Sequence, residues 1–547
     1  MNVKSIVIVG GGSSGWMTAA AIKRQIPNIK LTLIESDIIP KIGVGESTIG
    51  HINSYMHAVG LTDAEWMPSC NATYKTSIRF TDFREKNEKL NTFHYPFGRL
   101  DYTDKPRGPM EWFHQAALNP GTLAPETYAE FYHDHVIMAN QNKFTDNADN
   151  IIRGFNFTFD TAYHMDAGLF GQWLKDNVCI PEGVIHIVDD VTDVLKNEIT
   201  GEVSGINTNT NGILTADLYI DCTGFKSLLL EGAMGAEFTS FHDTLMNDSA
   251  IATTIPYLDR DLEMSSVTNC TGIEAGWVWN IPLWNRIGTG YVYSSKFATQ
   301  EEAEAQFRKH LASDRMDFDG EGSAKRASEA EVRHIKIKHG CHKTSWIKNV
   351  VAVGLANGFI EPLESTGLML THEAIMKILH ILKSRDGFVN NFDIDSFNHV
   401  VYDQVKGFKD FISLHYALSK RNDTPYWKHI TQELQYSPEM VDWAPLLRNA
   451  YMDLAQRNLS NHIYNDEMGG IAYIAAGHGY SPLNNIIVNE QMERDRSNIY
   501  NRMEELSVTP MLKIWEDHKE ELQKVLDDLP THHQWLKTKY YTKEEQD

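Results

Sequence analysis

The stretch "SIVIVGGGSSGWMTAAAIKRQ", residues 5–25, decides the fold. Its apolar run Ile6 to Val9 has the length and branching of a buried strand. The run ends in glycines, after which Met, Ala and Ile recur at helical spacing. A second apolar run, "KLTLIES" at 30–36, follows. Strand, glycine turn, helix and strand make a βαβ unit, and Gly10, Gly12 and Gly15 fall on the G-x-G-x-x-G pattern with Glu35 closing the second strand. The first glycine makes the tight turn, the second lets a pyrophosphate approach the backbone, and the third packs helix on strand. The N–H groups around Ser13 and Ser14 then face the phosphates, and the Glu35 carboxylate takes a ribose hydroxyl. The alternative is a glycine turn that serves packing alone.

Composition bounds the rest. A chain of 547 residues with 42% hydrophobic and 22% charged residues reads as folded, with more than one module. The 50 basic residues against 73 acidic ones give a net charge of −23, which argues against nucleic acid or an anionic membrane as partner. The cysteines Cys70, Cys179, Cys222, Cys270 and Cys341 are scattered and form no C-x-x-C pair, so reduced thiols and no metal site are expected. No apolar run reaches the roughly 18 residues a membrane helix needs, and a cytoplasmic location is expected.

Residues 184–220 read as several short strands returning to the sheet in "LYIDCTGF", which delivers Asp221 and Gly224. An insertion of this kind resembles flavoproteins of the FAD type, in which Val191 of "DDVTDV" meets the adenine through its backbone. A second dinucleotide fingerprint is missing: in "AGHGYSP" at 476–482, Pro482 stands where the third glycine belongs. FAD without a resident NAD(P)H site is therefore expected. Past residue 370, "THEAIMKILHILKSR" and "EMVDWAPLLRNAYMDLAQRNL" carry helical spacing, and the final segment 516–547 reads as a solvated helix with a frayed end. The expected class is α/β: a Rossmann-type, flavin-monooxygenase-like FAD module with an inserted β-sheet over 1–373, and a mostly helical substrate-side module over 374–547.

Eight stretches together carry a resemblance: "GGGSSGW", "GVGESTIG", "YKTSIRF", "YHMDAGLFGQWL", "DCTGF", "GWVWNIP", "GFIEPLESTG" and "FISLHYALSKRNDTPYW". In this order they resemble the flavin-dependent, tryptophan-halogenase-like halogenases, and Trp277, Trp279, Ile281 and Pro282 of "GWVWNIP" are the most specific match. The resemblance implies that FADH2, oxygen and a halide ion give hypohalous acid, which crosses a tunnel to an electron-rich, indole-like aromatic. It further implies a separate NAD(P)H-dependent flavin reductase and leaves a homodimer open.

Site residues follow from the same resemblance. Lys75 and Glu364 are the catalytic pair, Thr366 and Gly367 hold the halide, and Leu355 and Leu368 lie near the flavin. Ile42, Gly43 and Val44 touch the isoalloxazine. Trp277 and Trp279, two apart on one strand face, wall the flavin side of the tunnel; as residues alone, two such rings are more often core filling than anything chemical. Lys75 alternates with Tyr74 and Thr76 as on a single strand running to Phe80, so by pattern alone it is a solvated lysine on an edge strand. Glu361, three residues before Glu364, is the competing carboxylate. His94, Tyr95, Phe97 and Tyr473 are candidates to line a substrate pocket. An aromatic hydroxylase and a flavin binder without turnover are the alternatives.

Overall fold

The structure is a computed structural model that describes residues 1–37, 45–87, 91–98, 100–101, 104–105, 108, 111–119, 121–313, 321–436, 469–479 and 511–542. Two compact units emerge, each assembled from three stretches of chain: Met1–Thr73 with Ala162–Asp248 and Lys336–Lys409, and Tyr74–Thr161 with Ser249–Ile335 and Asp410–Asp547. The composition change near residue 373 suggested one boundary there. The division differs because distant strands complete each sheet, and pairing in a sheet follows space rather than chain order.

The first unit is built on the opening βαβ. Strand β1 (Ser5–Val9) leads through the glycine turn into helix α1 (Ser13–Gln25) and strand β2 (Lys30–Glu35). These belong to a six-stranded sheet in the order Trp346–Ile347, Val350–Ala352, Leu218–Asp221, β1, β2, Ile185–Val188, parallel except for its first pair. A parallel sheet is buried on both faces, which is why β1 is a continuous apolar run. On one face Val7, Val9, Ile34, Tyr219, Leu229 and Val350 pack with Val203 and Ile206 of the inserted strands. Helix α1 packs against the helices Ala167–Leu174 and Gly367–Ser384. The predicted insertion is a three-stranded sheet, Val191–Lys196, Val203–Thr208 and Ile213–Leu214.

The second unit centres on a seven-stranded sheet that includes Ile287–Tyr293, Gly276–Pro282, Val267–Ile273, Ser77–Thr81 and Thr92–Pro96 as neighbours. The tryptophan strand is interior: Trp277 lies across from Gly272 and Val292, and Trp279 from Cys270 and Gly290. A Cβ at Gly290 would run into the Trp279 ring, so the facing glycine makes room for the indole.

Two expectations need correction. The run 74–80 is not one strand: Thr73–Lys75 and Ser77–Thr81 are separate, broken at Thr76. There the ladder changes partner, with the Thr76 N–H donating to the Ser266 carbonyl at 2.8 Å and the Thr76 carbonyl accepting from Phe97 N–H at 3.0 Å. The alternation in the sequence also marks no solvated face, since Tyr74, Lys75, Thr76 and Ser77 are all fully buried. The last helix, His532–Lys539, is not merely solvated either. His532, Leu536 and Tyr541 are buried, Thr531 bridges to Lys143, and Tyr541 stacks on Trp284 at 3.8 Å. Its charged residues cover one side while a few aromatics carry the burial. The stretch 439–459 and residues Ile42, Gly43 and Val44 lie outside the described residues.

Candidate active site

The nucleotide turn divides labour among its glycines as its spacing requires. Gly10 has φ +110°, and a Cβ there would overlap the Cys222 carbonyl; a Cβ on Gly15 would overlap the Gly10 carbonyl. Gly12, by contrast, would meet nothing within 4 Å. Two positions are closed by protein and the one that should face a pyrophosphate is open. Gly12 is also the N-cap of α1, no side chain caps the helix, and its first turn has no acidic residue. Uncapped N–H groups and the positive end of the dipole make an anion site. Ser13 spends its hydroxyl on the Ala167 carbonyl at 2.8 Å, and Ser14 packs beside Gly354, itself at φ +69°. The turn Gly354–Ala356 leaves Leu355 40% exposed, a large apolar side chain available to a planar ring. These features fit a dinucleotide such as FAD.

Glu35 is already engaged. His186 Nε2 stands 2.9 Å from its carboxylate and Lys175 Nζ 3.7 Å, and a Cβ on Gly11 would strike the same group. Trp16 closes this corner, edge-on to His186 at 5.2 Å. The sequence offered no signal for either basic partner, which arrive from a helix and a strand more than a hundred residues away. Val191 starts its strand opposite Thr208, and the loop before it is fastened by Asp189, whose carboxylate accepts from the main chain of Thr210 and Asn211 at 2.9 Å each. Asp221, at the end of its strand, accepts from the N–H groups of Leu229 and Leu230 at 2.7 and 2.9 Å, so it ties down a turn.

The second cluster of this unit is "EPLESTG". Pro362–Glu364 form a single 3-10 turn, Ser365 follows in the left-handed region at φ +57°, and Thr366 occupies the N-cap position of the helix Gly367–Ser384. A non-glycine residue in that region costs of order 1 kcal/mol and persists only where its surroundings fix it. Here Ser365 Oγ bonds Ser47 Oγ at 3.1 Å. The cap is open: the Thr366 hydroxyl is fully buried with no hydrogen-bond partner, and a Cβ on Gly367 would meet nothing within 4 Å. An orphaned buried donor beside free space at a helix N-terminus suits a small anion. Leu368, in the first helical turn, is buried.

The two carboxylates of this segment differ. Glu361 accepts from Asn247 Nδ2 at 2.7 Å, and its N–H donates to His339 Nδ1 at 3.2 Å. His339 Nε2 in turn donates to the Asn247 carbonyl, which fixes one neutral tautomer, and burial lowers its pKa to about 4. Glu361 is thus held by a structural network, whereas Glu364 sits fully buried in the turn that leads to Thr366.

In the second unit, Lys75 is fully buried and its ammonium lies 5.0 Å from the centre of the Phe97 ring. A desolvated cation over an aromatic face is worth about 2 kcal/mol, which offsets part of the burial cost. His94 is pinned between Ser77 Oγ at 2.9 Å and Asn140 Oδ1 at 2.8 Å, and burial brings its pKa down to about 3. Tyr95 and Tyr473 meet edge to face at 5.6 Å, and the Tyr473 hydroxyl bonds His133 at 2.7 Å. Of the four residues singled out as lining candidates, Tyr95 and Tyr473 are thus in contact, while His94 bonds Ser77 and Asn140 and Phe97 lies beneath the Lys75 amine. Gly477 makes no nucleotide turn: a Cβ there would enter the Phe93 ring. Trp277 and Trp279 share a face with their rings 6.3 Å apart and inclined at 61°, Trp277 fully buried and Trp279 partly so. Among the described residues no cluster of three metal-ligating side chains occurs, and no helix is long and apolar enough to cross a membrane.

Known proteins place this arrangement. The sequence profile of the tryptophan halogenases matches residues 5–485. Tryptophan 6-halogenase SttH of Streptomyces toxytricini is 35% identical over 446 residues, 78% of this chain and 80% of that protein. Among solved structures, VirX1 in its apo form is 42% identical with a TM-score of 0.87, covering 99% of this chain and 100% of its own. Tar14, a tryptophan C-6 flavin-dependent halogenase (chlorinase) from taromycin biosynthesis, is 31% identical with a TM-score of 0.80, covering 97% and 99%.

Proposed function

The chain belongs to the tryptophan halogenase family and is an FADH2-dependent halogenase, and we propose that it halogenates an electron-rich, indole-like ring by way of Lys75 and Glu364. The orphaned Thr366 hydroxyl at the open cap of its helix is the observation that carries the reading, because a hydroxylase has no use for an anion site there. Reduced flavin, when bound, would supply the two electrons and two protons with which O2, a halide ion and one further proton become hypohalous acid and water. Gly10, Gly12, Ser13, Ser14, Gly15, Glu35, Val191, Leu355 and Leu368 are the residues assigned to holding that cofactor, with Ile42, Gly43 and Val44 assigned to its ring.

Thr366 and the main chain of Gly367 bind the halide. The Lys75 amine receives the halogen, either hydrogen-bonding hypohalous acid or exchanging one N–H for N–X with release of water. The ring then takes the halogen from oxygen or nitrogen, and the Glu364 carboxylate removes the proton from the attacked carbon. Trp277 and Trp279 keep the organic substrate from the flavin. A separate NAD(P)H-dependent reductase supplies FADH2, and the reaction belongs in the cytoplasm.

The test is purified protein with FAD, a flavin reductase, NADH and chloride, bromide or iodide, offered indole, L-tryptophan and phenol and read by mass spectrometry. Halogenated product that needs the added halide is expected, and Lys75→Ala should lose it while FAD still binds. Hydroxylated product without halide would overturn the assignment.

A further inference from the structure

We propose that His532, on the C-terminal helix, is a positioning residue for Lys75, fixing the strand that carries the amine by accepting the main-chain N–H of Tyr74. The inference rests on the reading of Lys75 as the halogen acceptor. The strand Thr73–Lys75 has only three residues and ends where the ladder switches at Thr76. At Tyr74 the grip comes from side chains. His532 Nε2 takes the Tyr74 N–H at 3.3 Å, the Tyr540 hydroxyl bonds the Tyr74 hydroxyl at 2.9 Å, and the Trp535 ring lies edge-on to Tyr74 at 5.7 Å. All three come from the last described helix and the residue after it. Successive residues of a strand point to opposite faces, so a helix holding Tyr74 from one side sets the side chain of Lys75 on the other.

His532 suits this task better than a filler would. Its Nδ1 faces the Met264 carbonyl at 3.2 Å while its Nε2 faces the Tyr74 N–H, so one neutral tautomer satisfies both main-chain groups. Burial, the largest influence on it, lowers its pKa to about 3, which keeps the ring in that tautomer at working pH. The helix has anchors of its own besides: Thr531 Oγ1 donates to Asp261 at 2.7 Å, Leu536 is buried, and Tyr541 stacks on Trp284. Loss of the imidazole therefore leaves the helix anchored and takes one main-chain hydrogen bond from the strand, which stays the edge of a three-stranded sheet with the Tyr74 ring against Phe144 and Phe157.

The experiment compares His532→Leu, which keeps bulk but no acceptor, with His532→Gln, which restores one. Each is assayed with FAD, reductase, NADH and bromide for brominated indole, L-tryptophan or phenol, and in parallel for free hypobromous acid caught by 2-chlorodimedone. A misplaced amine should cost about tenfold or more in kcat for the aromatic at unchanged KM. The trapped acid should rise, FAD affinity should stay within about twofold, and His532→Gln should recover most of the aromatic yield. A parental ratio of aromatic to trapped product in His532→Leu overturns the inference, as does parallel loss of both products that glutamine fails to rescue. Should His532→Leu not fold, Tyr540→Phe removes only the hydroxyl pair at Tyr74; it must shift the same ratio in the same direction, and an unchanged ratio again overturns the inference. Lys75→Ala run alongside separates the two failures: if it keeps the parental aromatic yield, the role of Lys75 itself falls.

Discussion

At the scale of single residues, the proposed halide site turns on Thr366, whose buried hydroxyl has no hydrogen-bond partner. A buried hydroxyl without a partner is costly to leave so, by roughly 1–3 kcal/mol, and proteins retain one where a ligand completes it. Thr366→Val keeps the shape and removes the donor. Because a hydrogen bond to a charged partner is worth about 1.5–3 kcal/mol, the halide KM should rise by about ten- to a hundredfold while the FAD dissociation constant stays put. Halide titrations at saturating FADH2 measure it, and an unchanged halide KM would remove Thr366 from the site. Sequence pattern alone could not weigh this residue, since a Ser-Thr-Gly run before a helix reads equally as a cap. What distinguishes it is that the cap bond is missing, a fact of three dimensions. Lys75 teaches the same lesson from the other side. Its alternation with Tyr74 and Thr76 spelled a solvated lysine, yet both faces of that strand are covered and the amine rests over Phe97.

At the scale of elements, the opening βαβ was the most legible part of the chain, because strand, glycine turn, helix and strand follow one another within about thirty residues. Gly15 is the sharpest case. A methyl group there collides with the Gly10 carbonyl, so Gly15→Ala must push α1 away from the turn. Overpacking of this kind costs about 1–3 kcal/mol. Lower thermal stability together with weaker FAD binding by flavin-fluorescence titration is expected, and parental FAD affinity would show that the helix can shift without cost to the phosphates. The break at Thr76 was illegible because the switch is made by Ser266 and Phe97, distant in sequence. The C-terminal helix was misread for a related reason: a charge-rich text hides a narrow buried stripe, and His532, Leu536 and Tyr541 suffice to pin it.

Across the whole molecule, buried histidines couple stability to pH. Burial brings His94, His372 and His532 to about 3 and His135, His310 and His339 to about 4. An unfolded histidine titrates near 6.5, so between about pH 6.5 and 4 the unfolded chain binds protons that the folded one refuses. Stability is therefore fully present above about pH 6.5 and falls as the pH drops toward the folded values. Each such group contributes up to about 1.4 kcal/mol per pH unit. Glu46 opposes this, since burial and the nearby Asp166 raise it to about 7, and its contribution fades as pH rises from 4.5 to 7. Six groups outweigh one, so urea midpoints should fall steadily from pH 6.5 to 4; a flat profile would mean that these rings are protonated in the fold.

The sequence by itself determined the dinucleotide turn, the inserted strands and the family, because glycine spacing, strand patterning and the order of eight motifs are written along the chain itself. Only the tertiary structure decided that Glu361 is tied to Asn247 and His339, that the Thr366 donor lacks a partner, and that a histidine near the C-terminus grips the strand of Lys75. Those are matters of desolvation and of hydrogen bonds between segments far apart in the chain, and no local pattern encodes them.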